Sequence, residues 1–369
     1  MSRRILFTGG GTAGHVTPNL ALMAALRSEG WDVHYAGSRD GIERELAERA
    51  GVPYHDLPTG KLRRYLSLQN ALDVFRVLGG IVAGWRLCRR LRPALVFSKG
   101  GFVSVPVVFG ARLAGIPVIA HESDLTPGLA TRLVAGSVRM VCTNFPETRV
   151  PRARAVRFTG TPIRHGLLAG DRAAGLAFAG LDGRLPVLLV VGGSLGSMFL
   201  NGLVRSALDA LLARYQVVHI CGRGHLQAAA ERPGYVQFEF VAAEFADLLA
   251  MADLVVSRAG ANALLELIGA HKPTLLVPLG TAASRGDQLE NACWAEARGL
   301  AHRVLEADLD EVRLAEALAR LEADRTRLQR ALTQFELPDA EAELLGLIRQ
   351  FALPSSDAGA VGTDPGERS

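Results

Sequence analysis

Cysteine is scarce in this chain of 369 residues, and its four copies are scattered without any paired spacing, at Cys88, Cys142, Cys221 and Cys293. This pattern fits reduced thiols in a cytosolic protein, and it gives no support for a zinc site. We therefore expect a cytosolic protein without a zinc site. No cofactor is expected either.

Long uninterrupted apolar runs are also missing. The two longest stretches, residues 103–120 and 264–279, are broken by prolines and charged residues, so they favour a helix, turn and strand over a membrane span. The N-terminus begins with basic residues, as a signal peptide does, but only four residues separate them from the first glycines. Export is not expected.

The chain has two glycine-rich turns, residues 9–15 and 192–197, and each follows an apolar run typical of a buried strand. Neither turn combines the Gly-x-Gly-x-x-Gly spacing with an acidic residue at the end of a second strand, which disfavours an oxidoreductase. Backbone N–H groups at such turns, in front of a helix, bind anions. The sequence therefore predicts two sites for phosphorylated ligands, one in each half.

Length and charge both indicate two unlike halves. A chain of 369 residues exceeds the size at which one core usually keeps growing, and 49% hydrophobic with 21% charged residues is typical of a globular protein. Residues 1–165 hold 23 Lys and Arg against 11 Asp and Glu, whereas the remainder holds 18 against 26. The basic first half suggests contact with a polyanion or an anionic surface, although arginines spread over solvated faces would give the same count.

Short apolar runs alternate with helical periodicity along both halves. This alternation predicts an α/β protein with two doubly wound parallel sheets, and ligands collect at the carboxyl ends of strands in such folds. The predicted strands are 5–8, 33–36, 95–98, 118–120 and 140–142 in the first half, and 187–191, 217–221, 236–241, 254–257 and 274–277 in the second.

Turn-forming residues between Gly160 and Gly166 interrupt the pattern and predict a linker. We expect a first domain over residues 1–160, a linker over 161–166 and a second domain over 167–352. Residues 353–369 have little apolar content and are expected to be disordered. The binding cleft should then lie between the domains.

Seven segments, taken together and in this order, resemble the MurG family of peptidoglycan glycosyltransferases. The segments are Thr8–Leu20, Lys99–Pro106, His121–Gly128, Gly160–Arg164, Gly192–Gly196, Ser257–Glu266 and Arg285–Asn291. The resemblance covers residues 4 to 350. It implies a GT-B fold with an N-terminal acceptor domain, a C-terminal UDP-sugar domain, inversion at the anomeric carbon and no metal requirement.

The resemblance also implies a reaction and its partners. N-acetylglucosamine would pass from UDP-N-acetylglucosamine to the 4-hydroxyl of an undecaprenyl-diphosphate-linked muramoyl peptide, at the cytoplasmic face of the bacterial membrane. Cell-wall and division proteins are candidate partners, and nucleic acid is not expected. Two alternatives stay open: another GT-B glycolipid synthase that uses a UDP-sugar, and a non-catalytic protein that binds a UDP-sugar or a lipid diphosphate.

His15 is the first candidate for the catalytic base, because it follows the first glycine turn and a neutral imidazole accepts protons near neutral pH. It could instead cap a helix or bind a phosphate. Glu122 and Asp124 are competing carboxylates.

The resemblance assigns donor contacts mainly to the second half. Arg164 would contact the donor, Glu266 the ribose hydroxyls and Gln288 the sugar hydroxyls, although Glu266 alone could be an ordinary surface glutamate. The remaining predicted donor contacts are Thr12, Ala13, Gly14, Ser194, Val241, Ala261, Asn262, Ala263, Leu264 and Leu265. The predicted contacts of the acceptor diphosphate are Gly11, Thr12, Gly14, Gly100 and Gly101.

Three positions depart from the family pattern. Ala13 stands where many members have glycine, and Asp124 and Thr161 each stand where many have asparagine. These changes affect the acceptor side more than the donor side. Asp124 would bring negative charge toward a diphosphate unless it meets an arginine or acts as a base.

An apolar stripe at helical spacing lies among arginines in the first half, and its residues are Leu72, Phe75, Leu78, Val82 and Trp85, with Arg86 and Arg89 beside them. Such a stripe can lie in the headgroup region of an anionic bilayer. Packing of the stripe onto the sheet is the alternative. The basic half and a lipid-borne acceptor favour the membrane.

Overall fold

The structure is a computed structural model that describes residues 3–11, 13–59, 68–164, 166–193, 195–280 and 286–352, with all their side chains except those of residues 13 and 68–76. Thr12, Ser194 and the tail 353–369 lie outside this part of the chain.

The first sheet has seven parallel strands in the order β3-β2-β1-β4-β5-β6-β7. The central strands are continuous apolar runs because helices cover both faces of the sheet. The strands are β1 (Arg4–Thr8), β2 (Asp32–Gly37), β3 (Tyr54–Asp56), β4 (Leu95–Ser98), β5 (Val118–Glu122), β6 (Met140–Thr143) and β7 (Val156–Phe158).

Helices connect these strands, and two of them approach each other through glycine. The helices are α1 (Thr17–Ser28), α2 (Ile42–Arg49), α3 (Leu68–Leu91), α4 (Ser104–Leu113) and α5 (Leu129–Val134). A Cβ atom at Gly84 would stand 3.0 Å from the carbonyl oxygen of Pro106, and one at Gly110 would collide with the backbone of α3. Close packing of α3 on α4 therefore leaves the opposite face of α3 outside the core.

The second sheet has six parallel strands in the order β10-β9-β8-β11-β12-β13. Its strands are β8 (Val187–Val191), β9 (Gln216–Ile220), β10 (Tyr235–Phe238), β11 (Leu254–Ser257), β12 (Thr274–Leu276) and β13 (His302–Arg303). Its helices are α6 (Arg172–Ala179), α7 (Met198–Ser206), α8 (Leu208–Leu212), α9 (Phe245–Met251), α10 (Ala261–Gly269), α11 (Asp287–Ala297), α12 (Glu311–Ala323) and α13 (Arg325–Gln334). The prediction of two doubly wound parallel sheets is confirmed.

The last helix, α14 (Ala340–Ala352), returns to the first domain although its residues fall in the range predicted for the second. Leu344 and Ile348 are fully buried among residues of β1, β4 and α1. The chain therefore passes between the domains twice, near Gly160 and again near Pro338, and a Cβ atom on Gly160 would lie 3.2 Å from Cγ of Pro338.

Strand register brings the predicted motifs to the same edge of each sheet. Thr8 pairs with Ser98, and Ser98 pairs with Ala120, so the segments that follow β1, β4 and β5 leave the sheet side by side. In the second sheet, Ser257 pairs with Val191, which places the segments after β8 and β11 together. Both edges are carboxyl edges, where ligands bind in doubly wound folds.

Candidate active site

His15 lies in a short 3-10 turn, Ala13–His15, between the first glycine turn and α1. Its Nδ1 stands 3.1 Å from the carbonyl oxygen of Gly10. A carbonyl oxygen only accepts, so the neutral ring donates from Nδ1 and carries its lone pair on Nε2. That tautomer is the one a proton acceptor requires.

Glu43 supports the glycine turn from beneath, which the sequence analysis did not predict. It comes from α2, is fully buried, and accepts the N–H of Ser38 at 3.1 Å and the N–H of Gly11 at 3.3 Å. The Glu43 carboxylate thus accepts the Gly11 N–H, whereas the sequence analysis predicted that Gly11 contacts the acceptor diphosphate. Tyr35 holds the same turn through a hydrogen bond to the carbonyl of Gly9 at 2.7 Å.

The second acceptor segment, Lys99 to Gly101, packs directly against this turn. A Cβ atom on Gly101 would collide with the carbonyl oxygen of Gly10 and would lie 3.3 Å from Nδ1 of His15. Gly100 and Gly101 both have positive φ, 89° and 78°, which favours glycine. The two predicted acceptor segments are therefore adjacent, with His15 at their contact.

Lys99 is buried, 1% exposed, and its ammonium lies 2.6 Å from Nδ1 of His121 and 3.0 Å from Oγ of Ser123. Burial lowers the pKa of Lys99 to about 7, against the opposing pull of the Glu122 and Asp124 carboxylates. Nε2 of His121 is 2.8 Å from the carbonyl oxygen of Gly160. Lys99 and His121 therefore tie the ends of β4 and β5 to the start of the linker.

His121 is held as a neutral ring in one tautomer. Burial, followed by the Lys99 charge, keeps the pKa of His121 well below its usual value. Since Nε2 donates to the Gly160 carbonyl, Nδ1 is the atom that accepts from Lys99. Both nitrogens are engaged, so this histidine serves the fold rather than the proton transfer.

Of the competing carboxylates, Glu122 is the last residue of β5 and Asp124 lies on the loop that follows it. Both oxygens of Glu122 accept backbone N–H groups of that loop, from Asp124 at 3.0 Å and from Gly128 at 3.0 Å. Glu122 is buried, whereas Asp124 is half-buried. The geometry therefore gives Glu122 the role of shaping the loop.

The predicted donor side is built around the second glycine turn. A pocket of about 420 Å³ lies between this turn and the start of α10, and Gly193, Ser197, Gly260, Ala263 and Gln288 are among the residues that line it. Its volume is in the range of small-molecule sites. The predicted donor contact Ser194 lies outside the described residues.

Arg258 forms the buried floor of this pocket. The sequence analysis included it only within the segment Ser257–Glu266 and gave its side chain no role. Its guanidinium donates to Oγ of Ser197 at 2.6 Å and to the Glu306 carboxylate at 2.8 Å. Ser197 in turn caps α7 by accepting the N–H of Leu200 at 3.3 Å. Arg258 thereby joins the two segments that follow β8 and β11.

Helix α10 begins directly at the pocket, with Gly260 as its N-cap. The first backbone N–H groups of a helix lack partners within it and favour negative charge. Leu264 and Leu265 are buried in the core, and the N–H of Leu264 donates to the carbonyl of Gly260 at 2.9 Å. Val241 is also a core residue. The side chains of these three predicted donor contacts therefore face the protein interior.

Arg164 and Glu266 form a bidentate ion pair next to α10. Nε and one terminal nitrogen of Arg164 lie 2.8 and 2.9 Å from the two carboxylate oxygens of Glu266. The guanidinium also lies over the ring of Phe245, 4.6 Å from its centroid. The structure therefore joins these two predicted donor contacts directly.

Gln288 lies in the first turn of α11 and is fixed through its amide oxygen. This oxygen accepts the N–H of Leu279 at 3.1 Å. This hydrogen bond fixes the orientation of the Gln288 amide, so its NH₂ group points away from Leu279.

Helix α3 presents an apolar face to the outside. Leu78, Val82 and Trp85 are 53%, 44% and 38% exposed, and Arg86 and Arg89 are exposed beside them. Packing of the stripe onto the sheet is therefore wrong for these three residues. The side chains of Leu72 and Phe75 lie outside the described part, within which no helix is long and apolar enough to span a membrane.

The chain matches two family models, one in each domain. Residues 5–143 match the glycosyltransferase family 28 N-terminal domain, and residues 187–344 match the glycosyltransferase family 28 C-terminal domain. Within the described residues, no group of three or more His, Cys, Asp or Glu side chains is arranged to hold a metal ion.

Several relatives and solved structures resemble the whole chain. UDP-N-acetylglucosamine–N-acetylmuramyl-(pentapeptide) pyrophosphoryl-undecaprenol N-acetylglucosamine transferases from Lachnoclostridium phytofermentans and Geobacillus kaustophilus are 48% and 47% identical, over 95% of this chain and 99% of each relative. The crystal structure of Acinetobacter baumannii MurG superimposes with a TM-score of 0.76 at 25% identity, over 94% of this chain and 99% of that one. Domain matches, near-complete relatives and a shared two-domain fold together place this chain in glycosyltransferase family 28, as a member of the MurG family.

Proposed function

We propose that this protein transfers N-acetylglucosamine from UDP-N-acetylglucosamine to the 4-hydroxyl of an undecaprenyl-diphosphate-linked muramoyl peptide. The product is the β-1,4-linked disaccharide lipid used in peptidoglycan synthesis. The observation that carries the proposal is the contact between the two halves of the site. Asn262, at the start of α10 beside the donor pocket, donates to the carbonyl oxygen of Gly14, the residue before His15, at 2.7 Å.

Transfer is a single displacement in this proposal. His15 Nε2 takes the proton of the acceptor hydroxyl, the oxygen attacks the anomeric carbon, and the bond from that carbon to the UDP oxygen breaks with its electron pair. The first N–H groups of α10 and the amides of the 192–197 turn stabilise the charge that develops on UDP. Fixed amide dipoles do this without reorganisation, which suits a site that closes between two domains.

Acceptor binding uses the first domain. Gly14, Gly100 and Gly101 belong to adjacent segments at the carboxyl edge of the first sheet, where the diphosphate binds. In this proposal the Gly11 N–H does not contact the diphosphate, because it donates to the Glu43 carboxylate. Asp124, on the loop after β5, sets the charge that the acceptor meets.

The exposed face of α3 brings the protein to its lipid substrate. Leu78, Val82 and Trp85 enter the headgroup region of an anionic inner leaflet, and Arg86 and Arg89 pair with lipid phosphates. Each cation near such a surface contributes on the order of 1 kcal/mol. The protein is thus peripheral on the cytoplasmic face of the membrane.

Incubation of the purified protein with radiolabelled UDP-N-acetylglucosamine and a panel of lipid acceptors tests the proposal. We expect label to appear in a disaccharide lipid only with the undecaprenyl-diphosphate muramoyl peptide. Label on diacylglycerol would favour another glycolipid synthase. Tight nucleotide-sugar binding without any labelled lipid would indicate a binding protein.

A further inference from the structure

Two asparagines form a hydrogen-bonded bridge from the second domain to the first. Asn262 donates from Nδ2 to the carbonyl oxygen of Gly14 at 2.7 Å, and its Oδ1 accepts from Nδ2 of Asn144 at 3.2 Å. Gly14 precedes His15, and Asn144 directly follows β6. The bridge therefore connects the start of α10 to two separate segments of the first domain. We call α10 the donor helix, because its first residues line the predicted donor pocket.

The bridge has one workable orientation. Asn144 is buried, and its backbone N–H donates to the carbonyl of Glu122 at 3.1 Å, so this residue is fixed within the first domain. If the Asn262 amide were turned round, its NH₂ would face the NH₂ of Asn144 and its oxygen would face the oxygen of Gly14. An amide both donates and accepts, so asparagine satisfies both neighbours at once, whereas aspartate has nothing to donate to Gly14.

The contact acts on the short turn that carries His15. That turn spans only Ala13–His15, so a hydrogen bond to the Gly14 carbonyl restrains the backbone immediately next to the catalytic candidate. The ring itself is restrained by Gly10 at 3.1 Å. We propose that Asn262 is a positioning residue for the transfer, which holds the His15 turn against the start of the donor helix while the two domains are together.

This inference rests on the proposed function, because Asn262 acts through His15 as the base. Other interdomain contacts leave the turn untouched: Glu147 binds Trp294 Nε1 at 2.8 Å and also pairs with Arg298. Since those contacts remain when Asn262 is changed, the domains still meet. Loss of the Asn262 side chain should therefore slow the chemical step without lowering the affinity for the nucleotide.

Asn262→Ala and Asn262→Asp test the proposal through the separation of kcat from binding. We expect kcat to fall roughly tenfold in both variants, the size expected for one lost hydrogen bond that aligns reacting groups. In Asn262→Ala, the KM for UDP-N-acetylglucosamine and the calorimetric Kd for UDP should stay within about twofold of wild type, since the lost bond is not aimed at the nucleotide and no charge is added at the start of α10. Asn262→Asp adds a carboxylate there, so only its kcat is compared. Asn144→Ala approaches the same bridge from the first domain and should also lower kcat.

Glu147→Gln is the matched control, because it alters an interdomain contact away from the His15 turn. We expect its kcat to stay within about twofold of wild type. Far-UV circular dichroism and thermal melts identify variants that fold. In folded Asn262→Ala, an unchanged kcat or a loss of UDP affinity as large as the loss of kcat would overturn the proposal.

A double-mutant cycle separates this inference from the proposed function. If Asn262 acts through His15, then Asn262→Ala should cost nothing further in a His15→Ala background, measured in single turnovers. Losses that multiply would overturn the positioning role and leave the base assignment standing. Normal turnover by His15→Ala alone would overturn both.

Discussion

Arg164 occupies both carboxylate oxygens of Glu266, at 2.8 and 2.9 Å, and so links the segment between the domains to the donor helix. An ionised carboxylate has about four lone-pair sites, so this pairing leaves one on each oxygen for the ribose hydroxyls that Glu266 is predicted to bind. The arginine therefore fixes the carboxylate in one orientation. Stacking of the guanidinium over Phe245 restrains the arginine in the same way.

Arg164→Lys should weaken UDP binding roughly tenfold, because an ammonium cannot reproduce the two parallel hydrogen bonds that orient Glu266. Titration calorimetry with UDP measures the change. Arg172→Lys is the matched control, since Arg172 makes a similar pair with Asp253 that lies outside the donor pocket. Equal UDP affinity in the two variants would contradict a role for the Arg164–Glu266 pair in nucleotide binding.

His15→Ala should lower kcat by about 10²- to 10⁴-fold, the range for loss of a general base, while calorimetric UDP binding is retained. The exposed His271 offers a matched control, and His271→Ala should turn over like wild type. Turnover of His15→Ala at the wild-type rate would remove His15 from the mechanism and leave Asp124 as the candidate base.

Lys99 should give the folded protein a distinctive pH dependence. Its pKa is about 7 when folded, against 10.5 in the unfolded chain, so between these values only the unfolded state holds the proton. The free energy of unfolding then rises with pH in this window. Above pH 7, the free energy of unfolding of the wild type should rise relative to that of Lys99→Met by up to about 1.4 kcal/mol per pH unit.

Urea denaturation of both proteins at pH 6.5, 7.5 and 8.5 measures this difference. Below pH 7 the lysine is charged in both states, so the gap between the two proteins should be constant there. Lys272 provides a comparison, because burial lowers its pKa only to about 8. Its contribution to the rise in the free energy of unfolding should therefore begin at a higher pH. A gap that stays constant from pH 6.5 to 8.5 would show that Lys99 titrates normally.

Leu78→Asp combined with Trp85→Asp should release the protein from anionic liposomes, because two carboxylates would have to enter the headgroup region among lipid phosphates. Liposome pelleting with and without anionic lipid measures the effect. Val312 is an even more exposed apolar residue on α12 of the second domain, and the Val312→Asp protein should still pellet. Persistent pelleting of the double variant would assign membrane contact to another surface.

The sequence predicted the architecture well because the central strands are buried on both faces and stand out as apolar runs. All ten predicted strands are present, with ends shifted by a few residues. The strands β3, β7 and β13 were missed, since they have two or three residues at or near sheet edges and lack an apolar run. Short edge strands are defined by their partners rather than by their own composition.

The site was predicted less completely, because several of its residues act through contacts between distant segments. Glu43 lies in Ile42–Arg49, a segment that looks like an ordinary charged surface helix, and only the fold brings its carboxylate beneath the glycine turn. Lys99 was quoted only as the first residue of a motif, and its burial depends on the packing of β4 and β5. Asn262 was predicted to contact the donor, whereas its side chain reaches the opposite domain.

The return of α14 to the first domain bears on how the protein can be divided. Leu344, Leu347 and Ile348 supply part of the apolar interior beneath β1 and β4. A fragment that ends at residue 160 would expose that interior to water, at a cost of about 1.5–3 kcal/mol for each large side chain left without its cover. An independently stable first domain therefore requires the last helix to be joined to it, and residues 1–160 are not a self-sufficient folding unit.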